Sequence, residues 1–292
     1  MLPTMTDQPK SPLNEYVQIP SSTATVTGRA LGIDIGGTGI KAAVVDVATG
    51  LLVTERVREL APHPSSRDAV LDVVVAIVRR LEVTGSLPVW MPAGVGFPSV
   101  IRAGQALTQV HGDSSWVDAP LQELLQQRLG RPVVVVNDAD AAGVAEAAYG
   151  AGKDHAGVVL FLDLGTGIGS ALFVNGNLVP NIQLGHIALH GGDAEARVSP
   201  VARVRRQLSW KKWAREFNEL LAIYEDYLWP DLIIIGGGMA AKFPKFQRFL
   251  KTRAVLLPAA LGTTAGIIGA ARIGAAAVPA ADDEAPGKIK PG

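Results

Sequence analysis

Residues 30–47 read ALGIDIGGTGIKAAVVDV, and this stretch indicates the fold class. An apolar run over Ala30–Ile35 ends in Gly36–Gly37, which predicts a buried strand followed by a tight turn. Residues 41–47 predict a second strand, and Leu51–Leu60 a third, with Thr49–Gly50 as the turn between them. The chain therefore starts with an antiparallel meander.

The second half of the chain repeats this order of elements. Residues 157–164 predict a strand that enters the glycine-rich turn Gly165–Gly169, and a hairpin follows around Asn175–Gly176, a strong hairpin signal. Helices are predicted between and after the strands, over 67–81, 121–129, about 141–149, a long segment behind Ser209, and about 264–277. Strands and helices mixed in this way predict an α/β fold.

Composition excludes several classes of function. The chain has 292 residues, with 27 Lys and Arg against 27 Asp and Glu, so it lacks the basic excess of a nucleic-acid-binding domain. It contains no cysteine, which removes disulfides, thiolate zinc sites and cysteine nucleophiles. There is no apolar run long enough for a membrane span and no secretory signal pattern. We therefore expect a cytoplasmic protein that binds neither nucleic acid nor membranes.

Three glycine-rich turns follow apolar strands, at 36–39, 165–169 and 236–238. Backbone N–H groups in such turns can converge on an anion, because no Cβ blocks the approach, and Thr38 and Thr166 add hydroxyl donors. Any one of them could be an ordinary tight turn, whereas three together favour a cleft that binds phosphate. None is a dinucleotide fingerprint or a P-loop, because the first turn is followed by a strand and no Gly-Lys-Ser/Thr motif is present.

Carboxylates accompany these turns. Asp34 and Asp163 each lie two residues before a glycine turn, which makes chemical sense if Mg²⁺ lies between them and a phosphate. Asp138 follows the apolar run 133–136, where an acid is a candidate general base. A helix-capping or turn carboxylate is the alternative for each of these residues.

Six motifs together resemble one family. GIDIGGTGIK (32–41), GVGFP (94–98), VNDADAAGVAEAAYGAG (136–152), LGTGIGSALFVNGNLVPN (164–181), LGH (184–186) and IIIGGG (233–238) are similar to the polyphosphate glucokinases. Those enzymes are part of the repressor/kinase/ORF (ROK) group of sugar kinases, among the actin-like phosphotransferases. The resemblance covers nearly all of residues 30–275.

The resemblance implies a two-lobed actin-like, ribonuclease H-like fold with mixed sheets and a central cleft. It implies transfer of a phosphoryl group from polyphosphate or ATP, with Mg²⁺ and without zinc, to the 6-hydroxyl of glucose or a related hexose. We expect a homodimer. Composition predicts disordered tails over 1–29 and 278–292. Between them we expect an N-terminal lobe over 30–136, a C-terminal lobe over 137–263, and a terminal helix over 264–277 that packs back on the N-terminal lobe.

The same resemblance implies roles for individual residues. Asp138 is the expected catalytic base. Asp34 and Asp163 are the expected magnesium contacts, although the close family tends to have an uncharged residue at position 163 and it is the wider actin-like group that often has Asp there. The expected sugar contacts are Asn137, Gln183, His186 and His111. The expected phosphate-binding residues are Gly36, Gly37, Thr38, Lys41, Gly165, Thr166, Gly167 and Gly237.

The chain departs from the family pattern where the sugar would bind. Gln183 and Ala188 stand where the family has acids, His190 replaces an Asp, and His111 replaces an Asn. Lost charge-assisted hydrogen bonds are worth roughly 1.5–3 kcal/mol each, so recognition of glucose should be weakened or redirected. A kinase for a different hexose and a phosphate- or sugar-binding sensor without kinase activity are therefore the alternatives.

Residues 197–215 form a basic run without an acid. Its candidate polyphosphate-docking residues are Arg203, Arg205, Arg206, Lys211 and Lys212. Clustered cations would attract a polyanion, but a solvated helix face is the more common reason for such a run.

Overall fold

Each half of the chain forms a mixed β-sheet flanked by helices, which confirms the predicted α/β class. The structure is a computed structural model and describes residues 18–110 and 112–277. Residues 1–17 of the predicted N-terminal tail, the predicted tail over 278–292 and the expected sugar contact His111 lie outside the described residues.

The first sheet has six strands in the order β3-β2-β1-β5-β8, and β4 also pairs with β2. These strands are β1 (Arg29–Gly36), β2 (Gly39–Asp46), β3 (Leu51–Leu52), β4 (Val57–Glu59), β5 (Ala93–Phe97) and β8 (Val133–Asn137). β1, β5 and β8 run parallel and are buried, which explains their almost continuous apolar sequences. Their carboxyl ends therefore meet at one edge, where Gly36, Phe97 and Asn137 lie.

The second sheet has five strands in the order β11-β10-β9-β14-β15. They are β9 (Val158–Leu164), β10 (Ile168–Val174), β11 (Asn177–Val179), β14 (Leu232–Gly236) and β15 (Val255–Pro258). The β10–β11 turn has positive φ at Asn175 and Gly176, as the sequence predicts. β9 and β14 are parallel and place Gly236 beside Asp163.

Two short hairpins and seven α-helices complete the described chain. The hairpins are β6 (Ile101–Arg102) with β7 (Gln105–Ala106), and β12 (Ala188–Leu189) with β13 (Gly192–Asp193). The α-helices are α1 (Arg67–Val83), α2 (Leu121–Leu129), α3 (Asp138–Tyr149), α4 (Ala194–Val198), α5 (Pro200–Arg205), α6 (Trp210–Leu228) and α7 (Ala265–Ala277). Short 3₁₀ segments cover Ser114–Trp116, Leu184–His186, Gly237–Lys245, Gln247–Phe249 and Gly262–Thr264.

Three apolar clusters hold these layers together. The first joins α1 and α2 to one face of the first sheet, and the second joins α3 and α7 to strands of both sheets. The third lies under α6, whose buried face includes Trp213, Phe217 and Tyr224. The Ser209 hydroxyl accepts a hydrogen bond from Lys212 N and caps α6, as the sequence predicts.

Helix α7 packs against the first sheet and α3 through glycines. A Cβ on Gly94 of β5 would lie 1.7 Å from the carbonyl oxygen of Ala270, and one on Gly269 would lie 1.7 Å from that of Ala141. A side chain at either position would therefore force backbone apart. The last helix of the described chain is thus part of the packing around the first sheet.

Residues 18–28 differ from the predicted disordered tail. Ser22 N donates to Gly176 O at 2.8 Å, and the buried Arg272 guanidinium donates to the carbonyl oxygens of Ser21 and Ala24. Ile19 and Val26 pack against the second apolar cluster. The polar composition of this segment predicts disorder. The prediction is wrong for residues 18–28 because the partners that order them, α7 and the β10–β11 turn, are far away in the sequence and leave no local signal.

Candidate active site

The first two glycine turns line a common cleft. Gly37, from the β1–β2 turn, and Thr166, from the β9–β10 turn, both border an open cleft of about 570 Å³. Residues 63–65 and 112–114 form the remainder of its lining. Thr38, Gly165 and Thr166 are exposed. Residues from two turns that are far apart in the sequence therefore border one space.

Asp138 is the first residue of α3 and lies at the carboxyl edge of the first sheet. Its Oδ1 accepts a hydrogen bond from Ala139 N at 2.9 Å. Burial, together with the negative charges of Asp163 and Asp34, raises the pKa of Asp138 to about 7. A carboxyl group with such a pKa can accept a proton near neutral pH, as a general base must.

Asp163 faces Asp138 from the other sheet. Burial and the charge of Asp34 raise the pKa of Asp163 to about 6, against the opposing effect of Lys41. Asp163 Oδ1 is buried and has no hydrogen-bond partner among the described residues. A Cβ on Gly237 would lie 2.3 Å from this oxygen, so the third glycine turn lies directly on Asp163.

Asp34 and Lys41 form an ion pair at 2.7 Å across the β1–β2 ladder, in which they are directly opposite. The first turn of α7 lies beside the Asp34 carboxylate, because a Cβ on Gly266 would be 2.8 Å from its Oδ2. A helix N-terminus favours a negative charge there. The structure thus pairs an expected magnesium contact with an expected phosphate-binding lysine.

Among the described residues, no group of three or more His, Asp and Glu side chains is close enough to hold a metal ion. The negative charges of Asp163 and Asp34 nevertheless contribute to the raised pKa of Asp138, and the charge of Asp34 contributes to the raised pKa of Asp163. Carboxylate oxygens are the ligands that Mg²⁺ prefers. The unpartnered oxygen of Asp163 therefore fits a magnesium contact, whereas Asp34 is already neutralised by Lys41.

Asn137 caps α3. Its Oδ1 accepts hydrogen bonds from Ala139 N and Asp140 N at 3.0 and 3.1 Å, and its Nδ2 donates to Ser99 O at 3.1 Å. An amide nitrogen has two protons, so one N–H of this side chain is left for a sugar hydroxyl. In the structure, the Asn137 side chain therefore holds the first turn of α3, where Asp138 lies.

The other expected sugar contacts surround the 3₁₀ segment Leu184–His186. Gln183 and His186 are exposed, and His186 Nδ1 lies 2.8 Å from Asp193 Oδ2. Although burial raises the pKa of Asp193, hydrogen bonds from Ala196 N and His186 outweigh it and lower that pKa. Ala188 lies opposite Asp193 in the β12–β13 ladder. The structure thus supplies a carboxylate next to the position where the family pattern has its missing acid.

Sequence reasoning missed Glu195. Its Oε2 accepts a hydrogen bond from Ile168 N at 2.8 Å, and a Cβ on Gly167 would lie 2.1 Å from the same oxygen. Asp193 and Glu195 therefore hold His186 and the second glycine turn, respectively, from one short segment. Nothing in the sequence around Glu195 distinguishes it from a solvated helix residue, because its partner is 27 residues away.

Asp140 and Asn181 were also missed as structural residues of the site. Asp140 Oδ2 accepts a hydrogen bond from Asn181 N at 2.8 Å. The Asn181 side chain in turn exchanges two hydrogen bonds with the backbone of Ile101, at 2.8 and 2.9 Å. Burial raises the pKa of Asp140 to about 7. This chain of contacts joins the end of β11 to the β6–β7 hairpin beside α3.

Most arginines of the 197–215 run have internal partners. Arg206 makes two hydrogen bonds to the Glu216 carboxylate at 2.8 and 3.0 Å, and Arg197 lies 3.3 Å from it. Arg205 donates to Ala196 O at 2.7 Å, and Arg203 stacks 3.6 Å above the Trp210 ring. Lys211 and Lys212 are exposed. The acid that neutralises this run comes immediately after it in the sequence.

Comparisons with known proteins identify the family of the chain. Residues 30–202 match the model of the ROK family. The chain is 40% identical over 249 residues to a polyphosphate glucokinase of Mycobacterium tuberculosis (strain CDC 1551 / Oshkosh), which covers 85% of this chain and 92% of that protein. It is 38% identical to a polyphosphate glucokinase of Mycobacterium leprae, over 86% of this chain and 77% of that protein.

Two solved structures are similar over most of their length. One is an inorganic polyphosphate/ATP-glucomannokinase from Arthrobacter sp. strain KM, with a TM-score of 0.82, 42% identity, and coverage of 86% of this chain and 99% of that chain. The other is a ROK family glucokinase from Streptomyces griseus in complex with glucose and AMPPNP, with a TM-score of 0.73, 26% identity, and coverage of 85% and 99%.

Proposed function

The chain belongs to the ROK family, and from this premise we propose that it transfers a phosphoryl group from inorganic polyphosphate or ATP to the 6-hydroxyl of glucose or a related hexose. The observation that carries the proposal is the carboxyl group of Asp138. It has a pKa of about 7, to which the charge of Asp163 contributes, and Asp163 lies one residue before the end of the strand that leads into the second glycine turn. The relatives named above support polyphosphate as a donor.

The residues divide the reaction among them. The hexose oxygen forms a bond to the terminal phosphorus of the donor, and the bond from that phosphorus to the bridging oxygen breaks. The hydroxyl proton passes to Asp138, through Oδ2, because Oδ1 already accepts the Ala139 N–H. The backbone N–H groups of the first two glycine turns bind the donor phosphates and hold them in line.

We propose Mg²⁺ as the cation of this site, with Asp163 as its principal protein contact and Asp34 nearby. When bound, it would neutralise negative charge on the donor phosphates. Asp163 supplies a carboxylate oxygen without another partner among the described residues, and a cation there would offset the negative charge that Asp163 places beside Asp138. Zinc is not part of the proposal, because the chain has no cysteine to supply the thiolate ligands of a structural zinc site.

Mg²⁺ should stabilise the protein against heat at pH 8 but not at pH 5. The pKa values of Asp138 and Asp163 are raised on folding, so the folded protein binds more protons and its stability falls as pH rises from about 4 to about 7. Above pH 7 a divalent cation relieves that repulsion, and we expect melting to shift upward by about 3 °C. The shift is measured by thermal unfolding with and without Mg²⁺ at about 5 mM, a concentration high enough to occupy a weak site.

Asp163→Asn should abolish this magnesium shift, while Asp154→Asn, at an exposed residue, should keep it. An equal shift in wild type and Asp163→Asn would overturn the assignment of Asp163. Thermal unfolding needs no turnover, so the result does not depend on the kinase assay.

Gln183→Glu should lower the KM for glucose by about tenfold. It would restore the acid of the family pattern, and a charge-assisted hydrogen bond to a sugar hydroxyl is worth about 1.5–3 kcal/mol. Ala188→Glu should gain less, because its carboxylate would lie opposite that of Asp193. Steady-state kinetics with varied glucose measure both. A KM for glucose that rises or stays constant in Gln183→Glu, with an unchanged KM for the donor, would show that this position does not contact the sugar.

The experiment for the function itself is a product assay. Purified protein is incubated with Mg²⁺, polyphosphate or ATP, and a panel that contains glucose, mannose and amino sugars, and the sugar phosphate is measured. We expect a product with glucose or mannose. Product with none of the sugars and neither donor would refute the kinase and favour the non-catalytic sensor. Product with an amino sugar alone would favour a kinase for another hexose.

We also propose that the protein is a homodimer and lies in the cytoplasm, as expected from the sequence. Light scattering on purified protein should give about twice the chain mass of 30.5 kDa, and a mass of one chain would refute the dimer.

No helix in the described ranges is sufficiently long and apolar to cross a membrane. Recovery of the native protein in a membrane fraction would contradict the proposed location.

A further inference from the structure

A second basic surface follows the third glycine turn, and we call Lys242, Lys245, Arg248 and Lys251 the 242–251 strip. All four residues are exposed. Their side chains make no ion pair with any described residue, and Arg248 only packs over the ring of Phe249. The sequence contains no acid between Asp231 and Asp282. The strip is therefore a positive surface without a neutralising carboxylate on its own segment.

The geometry of the 3₁₀ helix Gly237–Lys245 puts the first two of these charges in line. Such a helix has three residues per turn, so the side chains of Lys242 and Lys245 lie on the same face. Phe243 and Phe246, which directly follow Lys242 and Lys245, share a different face and are buried in the cluster under α6. The basic face is therefore held outward by apolar packing.

The strip starts at the active site. The helix begins at Gly237, which lies against the buried oxygen of Asp163. With a rise of about 2 Å per residue, Lys242 lies about 10 Å and Lys245 about 16 Å along the helix from that glycine. An anionic chain that leaves the glycine turns along this helix would meet successive cations.

The 197–215 run is less suited to this task. Arg197 and Arg206 share Glu216, while Arg203 and Arg205 bind Trp210 and Ala196. Release of these contacts would offset the gain from a new anion. Lys211 and Lys212 are exposed and make no ion pair with a described residue, so they serve as the comparison.

We propose that the 242–251 strip is the docking track for the distal part of a long inorganic polyphosphate chain. This inference rests on the proposed function, in which the terminal phosphates of the donor occupy the glycine turns. Each phosphate unit along the chain carries negative charge, so a long chain gains contacts that ATP or tripolyphosphate is too short to reach. The strip would thus favour long polyphosphate over short donors, in a salt-dependent way.

The experiment compares two matched double variants of the full chain, K242Q/K245Q and K211Q/K212Q. Binding of fluorescently labelled long-chain polyphosphate is measured by anisotropy over a series of salt concentrations. Each exposed ion pair contributes little, so we expect K242Q/K245Q to weaken binding about fivefold at low salt and to reduce the salt dependence. Its KM should rise similarly for long polyphosphate but not for tripolyphosphate or ATP.

Equal binding by K242Q/K245Q and wild type would overturn the proposal, as would a larger loss in K211Q/K212Q. Wild-type protein that binds no long polyphosphate would overturn it as well. Binding is measured without turnover, so a protein that binds through the strip but makes no sugar phosphate would refute the proposed function and leave the strip intact.

Discussion

Asp138→Asn is expected to lower kcat for hexose phosphorylation by about a thousandfold. An amide cannot accept the hydroxyl proton, but its oxygen can still accept the Ala139 N–H, so the start of α3 should be preserved. With the wild type, kcat/KM should rise with pH through about 7, because the base acts only when it is deprotonated and its pKa is about 7. Initial rates from pH 5.5 to 8.5 measure both effects.

Asp140→Asn is the matched control. Asp140 lies two residues after Asp138 on α3, and its Oδ2 accepts a hydrogen bond from Asn181 N. An amide oxygen can keep that hydrogen bond, so we expect a loss of less than about tenfold. If Asp138→Asn retained most of the wild-type kcat, or if Asp140→Asn lost as much, Asp138 would not be the base.

Gly269→Ala is expected to destabilise the protein by about 3 kcal/mol. The new Cβ would lie 1.7 Å from the carbonyl oxygen of Ala141, so α3 and α7 must move apart. A backbone oxygen cannot turn away as a side chain can, so the strain spreads into the second apolar cluster. Urea unfolding followed by circular dichroism gives the change in the free energy of unfolding.

Gly238→Ala serves as the comparison, because nothing lies within 4 Å of the Cβ it would add. We expect it to change the free energy of unfolding by less than about 1 kcal/mol. Equal midpoints for Gly269→Ala and wild type would mean that α3 and α7 are not in close contact in solution. Since α3 also carries Asp138, the folded fraction of Gly269→Ala should lose activity too.

Turns and helix caps that are determined by neighbouring residues could be predicted from the sequence. The Asn175–Gly176 hairpin and the Ser209 cap of α6 lie where they were predicted, because turn and cap chemistry act within a few residues. Helix α3 was predicted from about residue 141 but begins at Asp138. The apolar pattern begins after the first turn, whereas the true start depends on the cap from Asn137.

Elements that depend on distant partners were harder to predict. The expected strand over Leu51–Leu60 is two short strands, β3 and β4, because separate parts of β2 pair with each. The segment around Ser21 and Ala24 looked like a tail, but Arg272 holds it through bonds that cross about 250 residues of sequence. Such contacts arise from topology and leave no local pattern.

The candidate site shows the same division. The glycine turns and Asp138 carry their own local signal, and the Asp34–Lys41 pair follows from the register of a hairpin closed at Gly36 and Gly39. The contacts of Asp193 with His186 and of Glu195 with Ile168 depend on how α4 packs over the second glycine turn. Their acids have no distinctive spacing, so only the fold brings them to the site.

The packing of helix α7 has a consequence for how the protein folds during its synthesis on the ribosome. Its glycines fit against β5 and α3, so the first sheet lacks part of its cover until residues 265–277 have been synthesised. Until then, apolar surface on β1 and β5 stays open to solvent, which is the condition under which nascent chains recruit chaperones or aggregate. The first sheet thus reaches its native packing only after α7 has been synthesised, and a chain released before α7 would be a target for degradation.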